Sequence, residues 1–316
     1  MSTAATKLAI DADSLAYRLG PDCVTDNFYS DFEASGEDTS DDDEGFVGES
    51  PDFKITEDLG NGNKVETSPE LARIALSHMI KDIVENTGIT DYTLHVSPGH
   101  LVNKALEARR AQDLTADEFA HLEELEAIAK HTNFRYEVAN DLEHAYKHNR
   151  SNLAPPAGVI STMYSMLFDY GAVLAYGCEA DDVVCALAKH KGYMIAALDK
   201  DVVNQTAGKV WNYGKAEWAK TSVEDARFYK YLQAICGDPG DGYKGVPRVG
   251  KKKAEAYIDP SMSEVELYKN TLRCYEEHGM CLQECLATLR LADMHQLQFI
   301  GDTEEYFIEL YMEPEE

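Results

Sequence analysis

The sequence predicts an α/β fold, a mainly parallel central sheet flanked by helices, followed by a helical C-terminal region. Three observations carry this. Short apolar runs alternate with helical stretches between Lys7 and Tyr213, the pattern of strands covered on both faces. The runs before Asp11, Glu179 and Asp199 end in acidic residues. From about Val223 the pattern turns helical. The expected division is an α/β core over 1–222, carrying an acidic insertion at 25–66 and a helical arch at 97–150, then a helical region over 223–316.

The elements follow in order. Lys7-Leu-Ala-Ile10 is a first buried strand, ending at Asp11-Ala-Asp13. Pro69 to Glu85 places apolar residues at helical spacing behind Ser68, a plausible N-cap. Asp91 to Val96 alternates as a strand and is stopped by Ser97-Pro98-Gly99. Residues 101 to 131 form a charged helical hairpin, whose second helix starts at Ala116 after Leu114-Thr115. Asn133 to Arg150 mixes basic and aromatic residues, and the Tyr and Phe side chains between 134 and 146 are candidates to stack on an unpaired base. After Pro155-Pro156 come a helix from Val159 to Tyr170, a strand from Ala172 to Tyr176 and a helix from Glu179 to His190. Tyr193 to Leu198 and Lys209 to Tyr213 are further strands.

Bulk properties bound the function classes. A chain of 316 residues that is 44% hydrophobic can bury a sizeable core. No apolar run approaches the roughly 18 residues of a membrane span, and Met1 to Lys7 lacks the apolar segment of a secretion signal. The seven cysteines show no CxxC pair, which fits small buried hydrophobes in a reducing cytoplasm. The net charge of −28 opposes nucleic acid binding at first sight, but its distribution is uneven. Twelve carboxylates and one lysine fall between Asp31 and Asp58, the composition of a solvated insertion. Five basic residues and no acid fall between Lys244 and Lys253, a local patch able to grip phosphates.

The carboxylates carry the chemistry. Asp11 and Asp13, then Glu179, Asp181 and Asp182, then Asp199 and Asp201 each follow a strand. In an open α/β sheet the strands' carboxyl ends share one edge, where ligands bind. Acids gathered there repel one another unless a cation lies between them, and hard divalent ions such as Mg²⁺ or Mn²⁺ suit oxygen ligands. Taken singly, each group has a plainer explanation, as helix-dipole partners or turn residues. Their convergence, with Asp238 and Asp241 downstream, favours a metal site.

The second informative block runs from Gly237 to Lys253. It offers Asp238 and Asp241, then a tight turn over Gly245, Val246, Arg248 and Gly250, then a helix opening at Lys251, Lys252 and Lys253, with Lys244 just before the turn. Glycines permit close backbone approach to a phosphate, and lysines add charge there. This is the build of a helix–hairpin–helix over 237–258 that holds DNA without reading bases.

With these motifs in view, the chain resembles the phage 5′–3′ exonucleases of the flap endonuclease superfamily, whose fold is PIN-like. The matching stretches are Ile10-Asp-Ala-Asp-Ser14, Tyr146-Lys-His-Asn-Arg150, Glu179-Ala-Asp-Asp182, Leu198-Asp-Lys-Asp201 and Gly237-Asp-Pro-Gly-Asp-Gly242, in family order across most of residues 7 to 258. The resemblance implies two Mg²⁺ ions, replaceable by Mn²⁺, and a K⁺ ion at the hairpin. Asp11, Glu179, Asp181 and Asp182 would surround one metal; Asp199, Asp201, Asp238 and Asp241 would surround the other, with some sharing. Asp13 matches only some relatives. Lys147 and Arg150 match the basic pair that engages the scissile phosphate. One departure stands out: the family's aspartate after the second strand is absent and the place reads His95-Val-Ser-Pro-Gly-His100, so that this ligand is missing unless His95 or His100 substitutes, a loss that would weaken metal binding without abolishing catalysis.

The resemblance further implies phosphodiester hydrolysis at DNA 5′ ends, flaps, nicks or duplexes, with RNA–DNA hybrid as another substrate. Its setting would be phage DNA replication or host DNA degradation, in the host cytoplasm and away from membranes. A replication protein could bind the acidic insertion or the arch. Two other readings compete: a structure-specific DNA-binding protein with a weakened catalytic site, and a phosphatase of the haloacid dehalogenase type. The phosphatase leaves Glu179-Ala-Asp-Asp182 and the lysine-rich turn unexplained.

Overall fold

A computed structural model describes residues 7–23, 55–58, 64–142, 146–147 and 157–314. Arg150 and most of the acidic insertion lie outside the described residues, as do the parts of the arch at 143–145 and 148–150.

The apolar run at the N-terminus is β1 (Leu8–Asp11), fully buried. α1 (Asp13–Leu19) follows at once. The end of the acidic segment departs from the expectation of a wholly solvated insertion. β2 (Ile55–Asp58) pairs antiparallel with β3 (Lys64–Thr67), because the alternating Ile-Thr-Glu-Asp and Lys-Val-Glu-Thr stretches can exchange backbone hydrogen bonds whatever their charge.

α2 (Pro69–Thr87) starts where expected, with the Ser68 hydroxyl accepting from the Leu71 amide at 3.3 Å, and ends on Gly88 in the left-handed region. β4 (Tyr92–Val96) lies beside β1. The helical hairpin is α3 (His100–Arg110) and α4 (Ala116–Ala129), the latter opened by a capping box between Thr115 and Glu118. α5 (Phe134–Asp141) and α6 (Ala157–Asp169) come next, then the two-residue β5 (Val173–Leu174). α7 (Ala180–Ala186) passes into a π-helical turn over Leu187–Lys191. β6 (Met194–Ala196), α8 (Lys200–Gln205), β7 (Gly208–Asn212) and β8 (Glu217–Thr221) complete the sheet region.

The sheet order is β5-β4-β1-β6-β7-β8, parallel except for β8, which runs antiparallel to β7. The chain moves outward from β1 through β4 to β5, then returns to the other side of β1 as β6. The order therefore reverses between β1 and β6, and a doubly wound sheet opens its ligand crevice at the carboxyl ends of such strands.

The C-terminal part is helical as expected. α9 (Val223–Cys236) leads into a small ribbon, β9 (Gly237–Asp238) with β10 (Tyr243–Lys244), and then into the four-residue α10 (Lys251–Ala254). α11 (Glu264–Glu277) and α12 (Leu282–Ala292) follow, and an antiparallel pair, β11 (Leu297–Phe299) with β12 (Tyr306–Ile308), closes the described chain. One apolar cluster fills the face of the sheet under α2, α3 and α6, and a second fills the face under α7. A third joins α9, α11 and α12 to Val246 and Val249 of the turn. α12 serves two of them, with Leu291 in the second and Leu289 in the third, so the helical region is packed onto the sheet.

The six cysteines whose side chains are described are free thiols, and four of them are buried. Among the described residues no helix is long and apolar enough to cross a membrane.

Candidate active site

A cavity of about 560 Å³ opens at the reversal point between β1 and β6. Asp11, Asp13, Asp181, Asp199 and Lys147 line it, with Ser14, Tyr17, Arg18 and Ser97. Four carboxylates from three distant segments thus meet at the carboxyl edge of the sheet.

Each is aimed by its local structure. Asp11 is the last residue of β1 and is 1% exposed; its oxygens accept from the Asp13 amide at 3.2 Å and the Ser14 hydroxyl at 2.9 Å. Asp13 reaches across to the end of β4, where the Ser97 amide donates to both its oxygens at 3.0 and 3.1 Å and the Tyr164 hydroxyl donates at 3.0 Å. The Ser97 hydroxyl accepts from the Ala180 amide at 2.8 Å, which ties that loop to the start of α7 and sets the place of Asp181. Asp199 caps α8 by accepting from the Asp201 amide at 2.6 Å.

The electrostatics show an excess of negative charge. Burial, then the charges of Asp13 and Asp199, push Asp11 up to about 8. Burial, followed by repulsion from Asp11, Asp199 and Glu179, holds Asp181 well above the usual carboxylate range, with Lys147 only partly offsetting it. Asp13 is raised by burial against the hydrogen bonds from Ser97 and Tyr164. Oxygen donors crowded in this way are suited to a hard divalent cation, which would remove the repulsion. Among the described residues no group of three or more acids, histidines or cysteines stands at ligand spacing. The side chains would have to close on an ion.

Lys147 joins Arg18 as a basic residue at the cavity. Its φ of 56° lies in the left-handed region, a strained backbone for a lysine, and its amide donates to the Asp241 carbonyl at 2.7 Å. Its ammonium is paired with Glu179, which also accepts from the Tyr146 hydroxyl at 3.2 Å. Glu179 therefore anchors the base rather than lining the cavity.

Asp182 corrects the expectation of a metal ligand. It is fully buried, and both its oxygens are taken by the guanidinium of Arg135, one contact at 2.7 Å, while the Glu179 amide donates to it at 3.1 Å. Arg135 also donates to the carbonyls of Leu291 at 3.1 Å and Asp293 at 2.9 Å. The pair pins α5 and α7 to the end of α12. Residues 181 and 182 are about 100° apart around a helix, so their side chains diverge, Asp181 to the cavity and Asp182 to Arg135.

The second acidic group lies apart. Lys200 sits between Asp238, at 2.9 Å, and Asp201, at 4.0 Å. Burial and the charge of Asp199 push Asp201 up to about 6, although Lys200 opposes them. Burial favours the neutral acid at Asp238, but the Lys200 ammonium and the amides of Gly240 and Asp241 outweigh it and hold the carboxyl below its ordinary range. Asp199 lines the cavity with Asp11 and Asp181, and its charge also reaches Asp201 in this group.

Neither histidine replaces the absent aspartate. His95 is buried on β4 with Nε2 at 2.8 Å from the Thr93 hydroxyl, and His100 opens α3; neither lines the cavity. Sequence reading also missed Ser97 and Tyr164, whose roles depend on distant contacts. It missed Ser14 and Arg18 too, although both lie on the helix that opens at Asp13, directly after the first acidic strand end.

The aromatic segment differs from expectation. Phe134 and Tyr146 are 7% and 3% exposed, packed in the second core, and only Tyr136 stays open, edge-on to Tyr146. At the lysine-rich turn, Val246 is buried and its amide donates to the Ile235 carbonyl at 2.7 Å, so it faces the protein and not a partner. A Cβ on Gly245 would stand 2.2 Å from that same carbonyl, and one on Gly237 would stand 2.4 Å from the Gly245 amide. These glycines serve backbone-to-backbone approach within the fold. Lys244, Arg248, Gly250, Lys251, Lys252 and Lys253 are exposed.

No family model matches the chain, and no curated protein matches its sequence. Solved structures do. The bacteriophage T5 flap endonuclease, in a pseudo-enzyme–product complex with DNA and metal ions, superposes with a TM-score of 0.53 at 12% identity, covering 91% of this chain and 89% of that one. The bacteriophage T5 protein co-crystallised with metal ions gives 0.51 at 13%, with the same coverage. The fold of this chain is the 5′-nuclease fold of these bacteriophage T5 structures.

Proposed function

We propose that this protein is a divalent-metal-dependent 5′–3′ exonuclease or flap endonuclease that hydrolyses DNA phosphodiesters. The observation that carries the proposal is the meeting of Asp11, Asp13, Asp181 and Asp199 around one cavity, with a single lysine on its wall. Two magnesium ions, when bound, would activate a water and stabilise the leaving oxygen. Asp11, Asp181 and Asp199 would hold one of them, with Asp13 fixed by Ser97 and Tyr164 as a further donor. Asp201, Asp238 and Asp241 would hold the second ion once it displaces Lys200, whose side chain is 64% exposed, from Asp238.

Lys147 would neutralise charge on the phosphoryl oxygens once released from Glu179. Arg150, outside the described residues, would assist it. Arg248 and Lys251 to Lys253 would grip the duplex backbone and fix the distance from a 5′ end or junction to the cavity. Substrates would be 5′ ends, flaps and nicks in DNA, and the setting would be phage DNA metabolism in host cytoplasm.

A second reading, a structure-specific DNA-binding protein with a weakened catalytic site, draws on the serine at the end of β4 and the unclosed acid cluster. The deciding experiment is a panel of 5′- and 3′-labelled flap, nicked, blunt and RNA–DNA hybrid substrates, with and without Mg²⁺. Cleavage from the 5′ side that disappears in Asp181→Ala or Asp199→Ala, with DNA binding retained, supports the nuclease. Tight binding of flapped DNA without cleavage at any Mg²⁺ or Mn²⁺ concentration supports the second reading.

A further inference from the structure

The two acidic groups differ in what already stands among them. At the first cavity Asp11, Asp13, Asp181 and Asp199 gather from three segments, and the ammonium of Lys147 is paired with Glu179. In the second group a cation of the chain's own is seated. Lys200 is the first residue of α8, between the cap Asp199 and Asp201. Its Nζ lies 2.9 Å from Oδ2 of Asp238 and 4.0 Å from Oδ1 of Asp201.

The two carboxylates are held without the lysine. The Gly240 amide donates to Asp238 at 2.7 Å and the Gln233 side chain donates to it at 3.1 Å, while the Tyr229 hydroxyl donates to Asp201 at 3.1 Å. Asp238 and Asp201 are 4% and 5% exposed, whereas the lysine side chain is 64% exposed. Two buried carboxylates brought to one cation repel each other when it leaves, so the place is not left empty without cost. The ammonium itself is mostly in water and gives up little on leaving. It brings one positive charge and donor hydrogens, where a hard divalent ion brings two charges and takes oxygen ligands directly. The seat therefore suits either cation, and the divalent ion matches the acid pair better.

We infer, resting on the nuclease reading above, that Lys200 occupies the position of the second divalent ion and competes with it for Asp238 and Asp201. The two ions then bind in sequence. At low divalent concentration the chain carries one ion, at the first cavity, and its own lysine neutralises the second acid pair. The second ion enters only as its concentration overcomes the lysine, so divalent concentration sets how much of the protein carries both. A lysine seated about nine-tenths of the time lowers the apparent affinity of the second ion about tenfold, because only the vacated fraction can bind it.

Manganese titration of the full chain without DNA, followed by electron paramagnetic resonance of the free ion, tests this apart from cleavage. Wild type should bind one ion tightly and a second more weakly. Lys200→Met should tighten the weaker ion about tenfold or more and leave the tighter one within about threefold. Lys200→Gln should act in the same direction, and circular dichroism checks the fold of both at this exposed position. Lys251 lines the same cleft as Lys200 and Asp238, of about 260 Å³, so Lys251→Met removes the same charge close by. It should leave both affinities within about threefold, since competition for the seat and not the general field is at work. Adding Asp238→Asn to Lys200→Met should abolish the gain. Two ions whose affinities ignore Lys200→Met, a Lys251→Met effect as large as that of Lys200→Met, or a gain that survives Asp238→Asn would each overturn the competition and leave the nuclease reading standing. No ion bound by any form would overturn both.

Discussion

Replacing Arg135 by Met probes the reassignment of Asp182 from metal ligand to structural anchor. Arg135 and Asp182 are 1% and 0% exposed, and the guanidinium also serves the Leu291 and Asp293 carbonyls. Removing it strands a carboxylate in the interior, which costs about 3–5 kcal/mol for a buried pair broken on one side. The two orphaned carbonyls add to this, about 1 kcal/mol each. Replacing both partners, Arg135→Met with Asp182→Leu, removes the stranded charge and should recover about 2 kcal/mol or more of the loss, since buried pairs are often replaceable by apolar side chains. Urea unfolding followed by circular dichroism, at one protein concentration without divalent ions, measures all three variants. Asp182→Asn should keep its metal affinity within about threefold of wild type, in contrast to Asp181→Asn. If Arg135→Met falls within about 1 kcal/mol of wild type, or the double variant is no more stable than the single, the anchoring role is wrong.

Other outcomes test separate parts. Asp181→Asn should abolish cleavage and yet stabilise the metal-free fold, because it relieves the burial of a charge and the repulsion from Asp11, Asp199 and Glu179; calorimetric melting in EDTA shows the sign. Lys147→Ala should lower cleavage by about 10²–10³-fold, the usual loss of one positioned electrostatic contact, as read by single-turnover kinetics. Burial pulls His95 down to about 4 from its ordinary 6.5. Between those values the unfolded chain takes up a proton that the fold refuses, so stability is complete above pH 6.5 and declines as pH falls towards 4, by about 3 kcal/mol in total. His95→Asn should flatten that part of the stability–pH curve, measured by urea midpoints relative to wild type. Gly245→Ala drives a Cβ against the Ile235 carbonyl and should cost about 2 kcal/mol or more, with weakened duplex binding in a fluorescence anisotropy titration.

The strand-end acids were legible because two local signals coincide, an apolar run and an abrupt carboxylate, and the topology of parallel sheets then brings them together. Asp11, Asp181 and Asp199 needed nothing else. The partner of Asp182 was not legible, since Arg135 lies forty-seven residues away on another helix and no local pattern joins them. The helical spacing was available, however, and it forbids Asp181 and Asp182 from facing the same way. The β2–β3 ribbon was hidden by acidic composition, which describes solvation and not backbone pairing. β8 escaped because its face is polar apart from Trp218, which packs edge-on against Trp211 across the hairpin. β11 and β12 are three residues each, too short for a period to show. At the lysine-rich turn the glycines were read for closeness to a phosphate. The close approach they allow is between two strands of the protein's own backbone, a long-range fact that residue type cannot reveal.

The most direct test of the account counts manganese ions bound at equilibrium, by electron paramagnetic resonance, in the wild-type protein and in Asp11→Asn/Asp181→Asn. The account predicts up to two ions in the wild type and the loss of at least one in the variant, with the fold intact by circular dichroism. Equal stoichiometry and equal affinity in the two proteins would contradict it.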